Sequence, residues 1–382
     1  MSRSPAVRAL TAHARALADH IVESAGTRSL RAMFVGGSLA GDDIAWAPVG
    51  GVIEIYSDID LYVVMSADAD EEAVRAAAAV AAAAGALTPD AGVLMTRPPD
   101  VGVYAVEDLL DQPARPGTVA LAERHIHLWG DRQIYNEMRA RIGAAIDPAE
   151  ALYLIENRLA ELASLAADEG GPARRLASTL RLKTYIDVAA AYAIASGRYD
   201  GSRGAVLRAV AALAQAGGVP EAHASRCEQA ALYLRTLGDY LLGEGDREVE
   251  TRAETTALEA WKRIAGERYG LPEEEWMEML ERRCHRGQHA GNFKQFVAMR
   301  RRMGRTRPRS MWEGMHLTMF APVDALRVAS LAEAARGGRA EGGAVPVPGA
   351  YGAFVERLTG TCGFVDGSLG ARARAMHRVV AR

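Results

Sequence analysis

The stretch VGGSLAGDDIAWAPVGGVIEIYSDIDLYVVMS, residues 35–66, decides the fold that the sequence predicts. One apolar run leads into Gly36-Gly37-Ser38, and a second apolar run, 59–65, begins beside Asp58 and Asp60. Because successive side chains of a strand point to opposite faces, Asp58 and Asp60 are expected to project from the same face. The stretch therefore predicts two buried strands, with a glycine turn after the first and an acid pair at the start of the second.

The acid pair predicts a divalent cation. Two neighbouring carboxylates repel each other and resist desolvation, and a cation offsets both effects. The spacing of Asp58 and Asp60 suits Mg²⁺, which binds one or two carboxylates together with substrate phosphates. Upstream, Gly36, Gly37 and Ser38 predict a strand-to-helix turn, where glycine lets the backbone approach a ligand and N–H groups attract phosphate. The two features together are typical of a nucleoside triphosphate site.

Composition argues against several other classes of protein. The chain has 382 residues, of which 49% are hydrophobic, and this is enough for a sizeable core and two or three domains. The formal net charge of -3 argues against binding to nucleic acid or membrane through overall charge. The three scattered cysteines form no disulfide or zinc pattern, and no apolar signal or membrane-spanning run is visible. We therefore expect a cytoplasmic protein with no membrane partner.

Hydrophobic periodicity predicts an α/β (α+β) domain with a small mixed sheet at 1–146, followed by a larger all-helical domain at 147–382. In the first domain we predict helices at 6–25, 70–84 and 118–124, strands at 30–35, 59–65, 91–95, 101–106 and 125–129, and a hairpin of 43–49 and 52–56 around Gly50-Gly51. In the second we predict helices at 148–167, 172–196, 204–216, 221–242, 249–269 and 273–283.

The acid pair and the glycine turn also carry a family resemblance. Gly37-Ser38 followed by Ser57-Asp58-Ile59-Asp60-Leu61 resembles the signature of the polymerase-beta-like nucleotidyltransferase superfamily. That superfamily includes antibiotic (aminoglycoside) adenylyltransferases and minimal nucleotidyltransferases, and the resemblance covers about 32–131. The gap from Ser38 to Asp58 is longer than is usual in the family. We interpret the Gly50-Gly51 hairpin as an insertion that extends the acid-bearing strand at its start.

The resemblance implies further site residues. A third carboxylate is expected on a neighbouring strand, where it helps to hold the metal or serves as a base. Asp100, in PPDVGVYAVEDLL, is the favoured match, and Asp90, in TPDAGVLM, is its rival. In the antibiotic-modifying members a helical domain supplies a lysine to the triphosphate; Lys183 is the candidate here, with Arg181 second. The predicted set is then Asp58, Asp60 and Asp100 for catalysis and metal binding, with Gly36, Gly37, Ser38 and Lys183 for the nucleotide.

The function implied by the resemblance is a Mg²⁺-dependent nucleotidyltransferase. It would move a nucleoside monophosphate, AMP from ATP, onto a hydroxyl or amine of a small molecule such as an aminoglycoside-like or natural-product acceptor. The helical half is large enough to build a pocket for such an acceptor. A macromolecular acceptor, a tRNA end or a toxin protein, is an alternative supported by the basic run 282–309. A non-catalytic nucleotide-binding relative is a third reading, against which the intact Asp58 and Asp60 argue.

Overall fold

The computed structural model describes residues 4–85, 92–142, 146–164, 171–243, 247–276 and 278–279. Its architecture is mixed α/β, with small sheets in the N-terminal part and many helices, which confirms the predicted class at that level. The N-terminal elements are α1 (Pro5–Ala25), β1 (Leu30–Val35), α2 (Gly37–Ala40), β2 (Trp46–Val49), β3 (Val52–Ile55), β4 (Asp60–Met65), α3 (Glu71–Gly85), β5 (Val93–Met95), β6 (Asp100–Tyr104), α4 (Val106–Leu110), α5 (Pro116–Glu123), β7 (Ile126–Gly130) and α6 (Ile134–Ile142). The helices that follow are α7 (Ala149–Ser164), α8 (Gly171–Ala195), α9 (Arg203–Gln215), α10 (Glu221–Arg235), α11 (Leu237–Leu242), α12 (Arg247–Thr251) and α13 (Ala253–Tyr269), with short 3-10 turns at Thr27–Ser29 and Glu273–Glu275.

The first sheet has the strand order β6-β4-β1-β7. Strand β1 runs antiparallel to both β4 and β7, whereas β4 and β6 are parallel. Alternation along β1 separates two cores: Met33 and Val35 pack on the side of α1 and α3, while Ala32 and Phe34 pack on the side of α4, α5 and α6. The sheet is therefore covered by helices on both faces, and its strand ends are the places where polar side chains can gather.

The second sheet has the order β2-β3-β5 and contains the predicted hairpin. Gly50 and Gly51 connect β2 to β3, and both have positive φ, 58° and 84°, as a tight hairpin turn requires. The hairpin does not extend the acid-bearing strand, so that interpretation was wrong. Strand β3 ends at Ile55, whose carbonyl accepts from the Thr96 N–H, while Asp60 begins β4 in the other sheet. Between Ile55 and Asp60 the chain therefore passes from the second sheet to the first.

Two of the predicted long helices are interrupted. The helix predicted at 221–242 breaks at Thr236, whose φ of -113° and ψ of 38° lie outside the helical range, and this residue separates α10 from α11. The segment predicted at 249–269 is divided into α12 and α13 at Arg252. For 273–283 the structure describes only the first part, beginning with the 3-10 turn.

The chain divides into two compact units, 1–150 with 168–250, and 151–167 with 251–382. Helices α8 to α11 belong with the sheets in the first unit. The domain boundary at 146/147 stays a prediction. In the second unit the buried Trp261 indole donates to the Glu156 carboxylate at 2.9 Å, which joins α13 to α7. Within the described ranges, no helix has the length and apolar character needed to cross a bilayer.

Candidate active site

The candidate site is centred on Asp60, the first residue of β4. The parallel register of β4 and β6 places Asp60 opposite Asp100, the first residue of β6. The backbone N–H of Asp100 donates to the Ile59 carbonyl at 2.9 Å, which fixes this register at its start. Two acids distant in the sequence are therefore neighbours at one edge of the first sheet.

The glycine turn lies directly against this edge. The Gly36 N–H donates to the Asp60 carbonyl at 3.0 Å. A Cβ added to Gly37, whose φ is 61°, would overlap Oδ2 of Asp60, and one added to Gly36 would come within 2.6 Å of the Leu121 side chain. The positive φ of Gly37 favours glycine there, and a Cβ at Gly36 would require the Leu121 side chain to move. Ser38 follows at the start of the one-turn helix α2. The predicted strand-to-helix turn is confirmed, and it touches the predicted acid.

The site concentrates negative charge in a poorly solvated place. Burial raises the pKa of the Asp60 carboxyl to about 7, and the charges of Asp58 and Asp100 add to this rise. The positive charges of Lys183 and Arg97 act in the opposite direction. The pKa of Asp100, an exposed residue at the rim, is also raised, first by partial desolvation of its carboxyl and then by the charge of Asp58. The three carboxylates are thus close enough to influence one another.

Two cations reach this acid cluster from different elements. Arg97, between β5 and β6, pairs with Asp58, with 3.2 Å between Nη2 and Oδ2. Lys183, on α8, donates from Nζ to the Ser57 hydroxyl at 3.2 Å. The Ser57 oxygen also accepts the Ala45 N–H at 3.0 Å, so this buried serine fixes the start of the acid-bearing segment. Sequence reasoning identified Lys183 but missed Arg97; a basic residue just before Pro-Pro and the third acid was the available signal.

The acid cluster fits a divalent cation in its chemistry, although its oxygens are not arranged as a closed set of ligands. Among the residues that the structure describes, no group of three or more His, Cys, Asp or Glu side chains is arranged to hold a metal ion. Asp58 is instead drawn to Arg97. Desolvation and the charges of Asp58 and Asp100 nevertheless raise the pKa of Asp60, and a bound cation would offset both effects. Asp58, Asp60 and Asp100 are the residues that would hold it.

An ion pair between the buried Glu54 and the partly exposed Arg175 attaches α8 to the second sheet. Glu54 accepts from Arg175 at 2.8 Å (Nε) and 2.6 Å (Nη2), and from the Tyr56 hydroxyl at 2.7 Å. The Arg175 hydrogen bond is the main cause of the lowered pKa of Glu54. Lys183 follows Arg175 by about two turns of the same helix. This pair, which the sequence did not predict, therefore fixes the helix from which Lys183 reaches Ser57.

The structure brings together six of the predicted site residues, Gly36, Gly37, Asp58, Asp60, Asp100 and Lys183, and Ser38 follows Gly37 in the chain. Their chemical roles stay predictions. Of the cations on α8, Lys183 influences the pKa of Asp60, which favours it over Arg181. Asp90 and the basic run 282–309 lie outside the described residues. Comparison with protein-family models and with curated proteins finds no match to this chain.

Proposed function

We propose that this chain is a Mg²⁺-dependent nucleotidyltransferase that transfers a nucleoside monophosphate, AMP from ATP, to a small-molecule hydroxyl or amine. The observation that carries the proposal is the position of Asp60. This partly buried acid lies opposite Asp100, is close enough to Asp58 for their charges to interact, and touches the Gly37 turn. Three acids beside a glycine turn, with the basic side chains of Arg97 and Lys183 nearby, suit the binding of a triphosphate together with its metal ion.

Each group has a role that follows from its environment. Asp58 and Asp60 would hold the cation, which would neutralise charge on the phosphate oxygens. Lys183 donates to the triphosphate from α8, and the glycine turn beside Asp60 lets the phosphates approach the backbone closely. Asp100 is exposed and its pKa is raised, so it suits the removal of a proton from the acceptor. The acceptor oxygen or nitrogen then bonds to the α-phosphorus, the bond from that phosphorus to the bridging oxygen breaks, and pyrophosphate leaves.

A small acceptor is favoured by the arrangement of helices. Helices α8 to α11 belong to the same compact unit as the acid cluster, and α8 contributes a side chain to it. Such helices can form the walls of a pocket for a small molecule. Cationic acceptors such as amino-sugars would also be attracted by the negative charge of the three carboxylates.

The test is a transfer assay with labelled ATP, Mg²⁺ and a panel of amino-sugars and RNAs. We expect pyrophosphate release together with a gain of one nucleoside monophosphate in the mass of an amino-sugar. Asp60→Asn should abolish both signals, while Asp108→Asn, an exposed acid in the first turn of α4, should retain them as a matched control. Transfer to RNA alone would replace the small-molecule acceptor with a macromolecular one.

Calorimetry separates a metal-dependent nucleotide site from a simple nucleotide pocket. We expect ATP to bind more tightly with Mg²⁺ than with EDTA, and Asp60→Asn to remove the difference. If ATP does not bind in either condition and no acceptor gains mass, the proposed function is wrong.

A further inference from the structure

Arg97 is held at the acid cluster by its backbone as well as by its side chain. The residue before it, Thr96, donates to the Ile55 carbonyl from both its N–H and its hydroxyl at 2.9 Å. Pro98 and Pro99 follow, and they restrict the backbone of Arg97 and its approach to β6. The backbone that carries the Arg97 guanidinium is therefore held in place beside the acid cluster.

Arg97 forms an ion pair with Asp58, which is itself a predicted ligand of the divalent metal ion. Arg97 Nη2 lies 3.2 Å from Asp58 Oδ2, and both side chains are partly exposed, 29% and 24%. The charge of Arg97 also extends to the neighbouring acids, since it opposes the rise in pKa of Asp60 and of Asp100. A divalent cation bound at Asp58 would repel the guanidinium and take the same carboxylate oxygens.

We propose that Arg97 and a divalent cation compete for Asp58, and that Arg97, once displaced, donates to the triphosphate of the bound nucleotide. The inference rests on the proposed function, because it deepens the same site. It assigns to Arg97 a phosphate-binding role alongside Lys183. One basic side chain then comes from the β5–β6 connection and the other from α8.

The chemistry of arginine favours this exchange of partners. Its planar guanidinium carries five N–H donors in a fixed fork and binds phosphate with two parallel hydrogen bonds. An Arg97 that had lost Asp58 would be left beside a polyanion, and the highly charged triphosphate is the strongest acceptor available at that edge. The fixed backbone of 96–99 keeps the side chain within reach during the exchange.

The experiment measures metal binding and nucleotide binding separately on the full chain. Mn²⁺ binding without nucleotide is measured by electron paramagnetic resonance, and ATP binding in saturating Mg²⁺ by calorimetry. The variant is Arg97→Met, which keeps most of the length and removes the charge. Arg75→Met is the matched control. Arg75 forms an exposed ion pair with Glu71 on α3, and its replacement changes the net charge by the same amount.

The proposal predicts opposite changes in the two affinities. Arg97→Met should bind Mn²⁺ about fivefold more tightly, because the competing charge is gone, and should bind ATP about 10- to 100-fold more weakly, because a charge-assisted hydrogen bond is lost. Arg97→Lys, which keeps the charge without the fork, should bind Mn²⁺ like the wild type and ATP with intermediate affinity. Circular dichroism confirms that each variant is folded.

Other outcomes overturn the proposal in distinguishable ways. Tighter Mn²⁺ binding with unchanged ATP binding would make Arg97 a counter-ion only, and unchanged values for both would make its ion pair structural. In either case the proposed function stands, because the wild type still binds both ligands. If the wild type binds neither Mn²⁺ nor ATP, the proposed function and this inference fail together.

Discussion

Gly37 and the Asp60 carboxylate lie so close together that no β-carbon can be placed between them. The contact joins the turn after β1 to the first residue of β4, and it depends on the positive φ of 61° at Gly37. The two features that stood out in the sequence, the glycine pair and the acid pair, therefore form a single structural unit. A change on one side of the contact must displace the other.

Gly37→Ala should damage both stability and nucleotide binding. The left-handed backbone alone costs about 1 kcal/mol for a residue with a side chain, and the methyl group also pushes the Asp60 carboxylate away. Gly50→Ala is the matched control, because Gly50 has a nearly equal φ of 58° with nothing within 4 Å of the added carbon. Urea unfolding and ATP calorimetry should show a similar backbone cost in both variants and loss of ATP binding only in Gly37→Ala. Equal ATP binding by the two would contradict the close contact.

Asp60→Asn should stabilise the protein at neutral and higher pH when metal is removed with EDTA. The folded protein keeps the Asp60 proton up to about pH 7, whereas the unfolded chain releases it near the ordinary value of 3.8. The folded state therefore binds more protons between these values, and the stability of the wild type falls as pH rises through that window. We expect Asn to increase the free energy of unfolding by about 2–4 kcal/mol at pH 8 and to change it little at pH 4. A gain that is independent of pH would rule out this cause, and Asp108→Asn provides the baseline.

Lys183→Met should weaken ATP binding by about tenfold or more, because Lys183 opposes the rise in the pKa of Asp60 and donates to Ser57 beside the acid cluster. Arg181→Met removes a charge two residues earlier on the same helix and serves as the comparison. Calorimetry with ATP in saturating Mg²⁺ gives both affinities. A larger loss in Arg181→Met would reverse the assignment of the two side chains.

Arg175→Met should destabilise the protein by about 2–4 kcal/mol, because it leaves the Glu54 carboxylate, only 6% exposed, without its cation. Since the pKa of Glu54 is below its ordinary value, the contribution of the pair is present at neutral pH and is lost as the pH falls through the acidic range. Arg75→Met, at an ion pair whose side chains are 55% and 61% exposed, should cost less than about 0.5 kcal/mol.

The same pair also tests how α8 is positioned. If Glu54 and Arg175 hold the helix that carries Lys183, Arg175→Met should raise the KM for ATP more than it lowers kcat. The double variant with Glu54→Gln should recover part of the lost stability, because no charge is then left buried. A fall in stability with no change in KM would limit the pair to a structural role.

The sequence predicted those parts of the site that depend on local patterns. Apolar runs identified β1 and the strand that begins at Asp60, and the glycine pair identified the turn between a strand and a short helix. The Gly50-Gly51 hairpin was also identified, but the sequence did not predict that its strands form a second sheet with β5. The partner of a strand is chosen by hydrogen-bonded ladders between distant segments, and the pairing of β3 with β5 has no local signature.

The side-chain pairs that complete the site were beyond sequence reasoning for the same reason. Arg175 and Glu54 are far apart in the chain, and each reads alone as an ordinary charged residue. Arg97 and Asp58 meet only because β5 and β6 return beside β3 and β4. The helix break at Thr236 was missed because the apolar periodicity continues on both sides of it.

The chain passes from the second sheet to the first twice, between β3 and β4 and again between β5 and β6. Both sheets pair these strands in parallel, Ile55 with Met95 and Asp60 with Asp100, so the two passages run side by side. During synthesis, a ribosome releases Asp58 and Asp60 well before Arg97 and Asp100, and Lys183 emerges much later. A nascent chain that stops short of the second passage therefore holds two acids without a counter-ion, and the complete charge arrangement exists only once α8 has been translated.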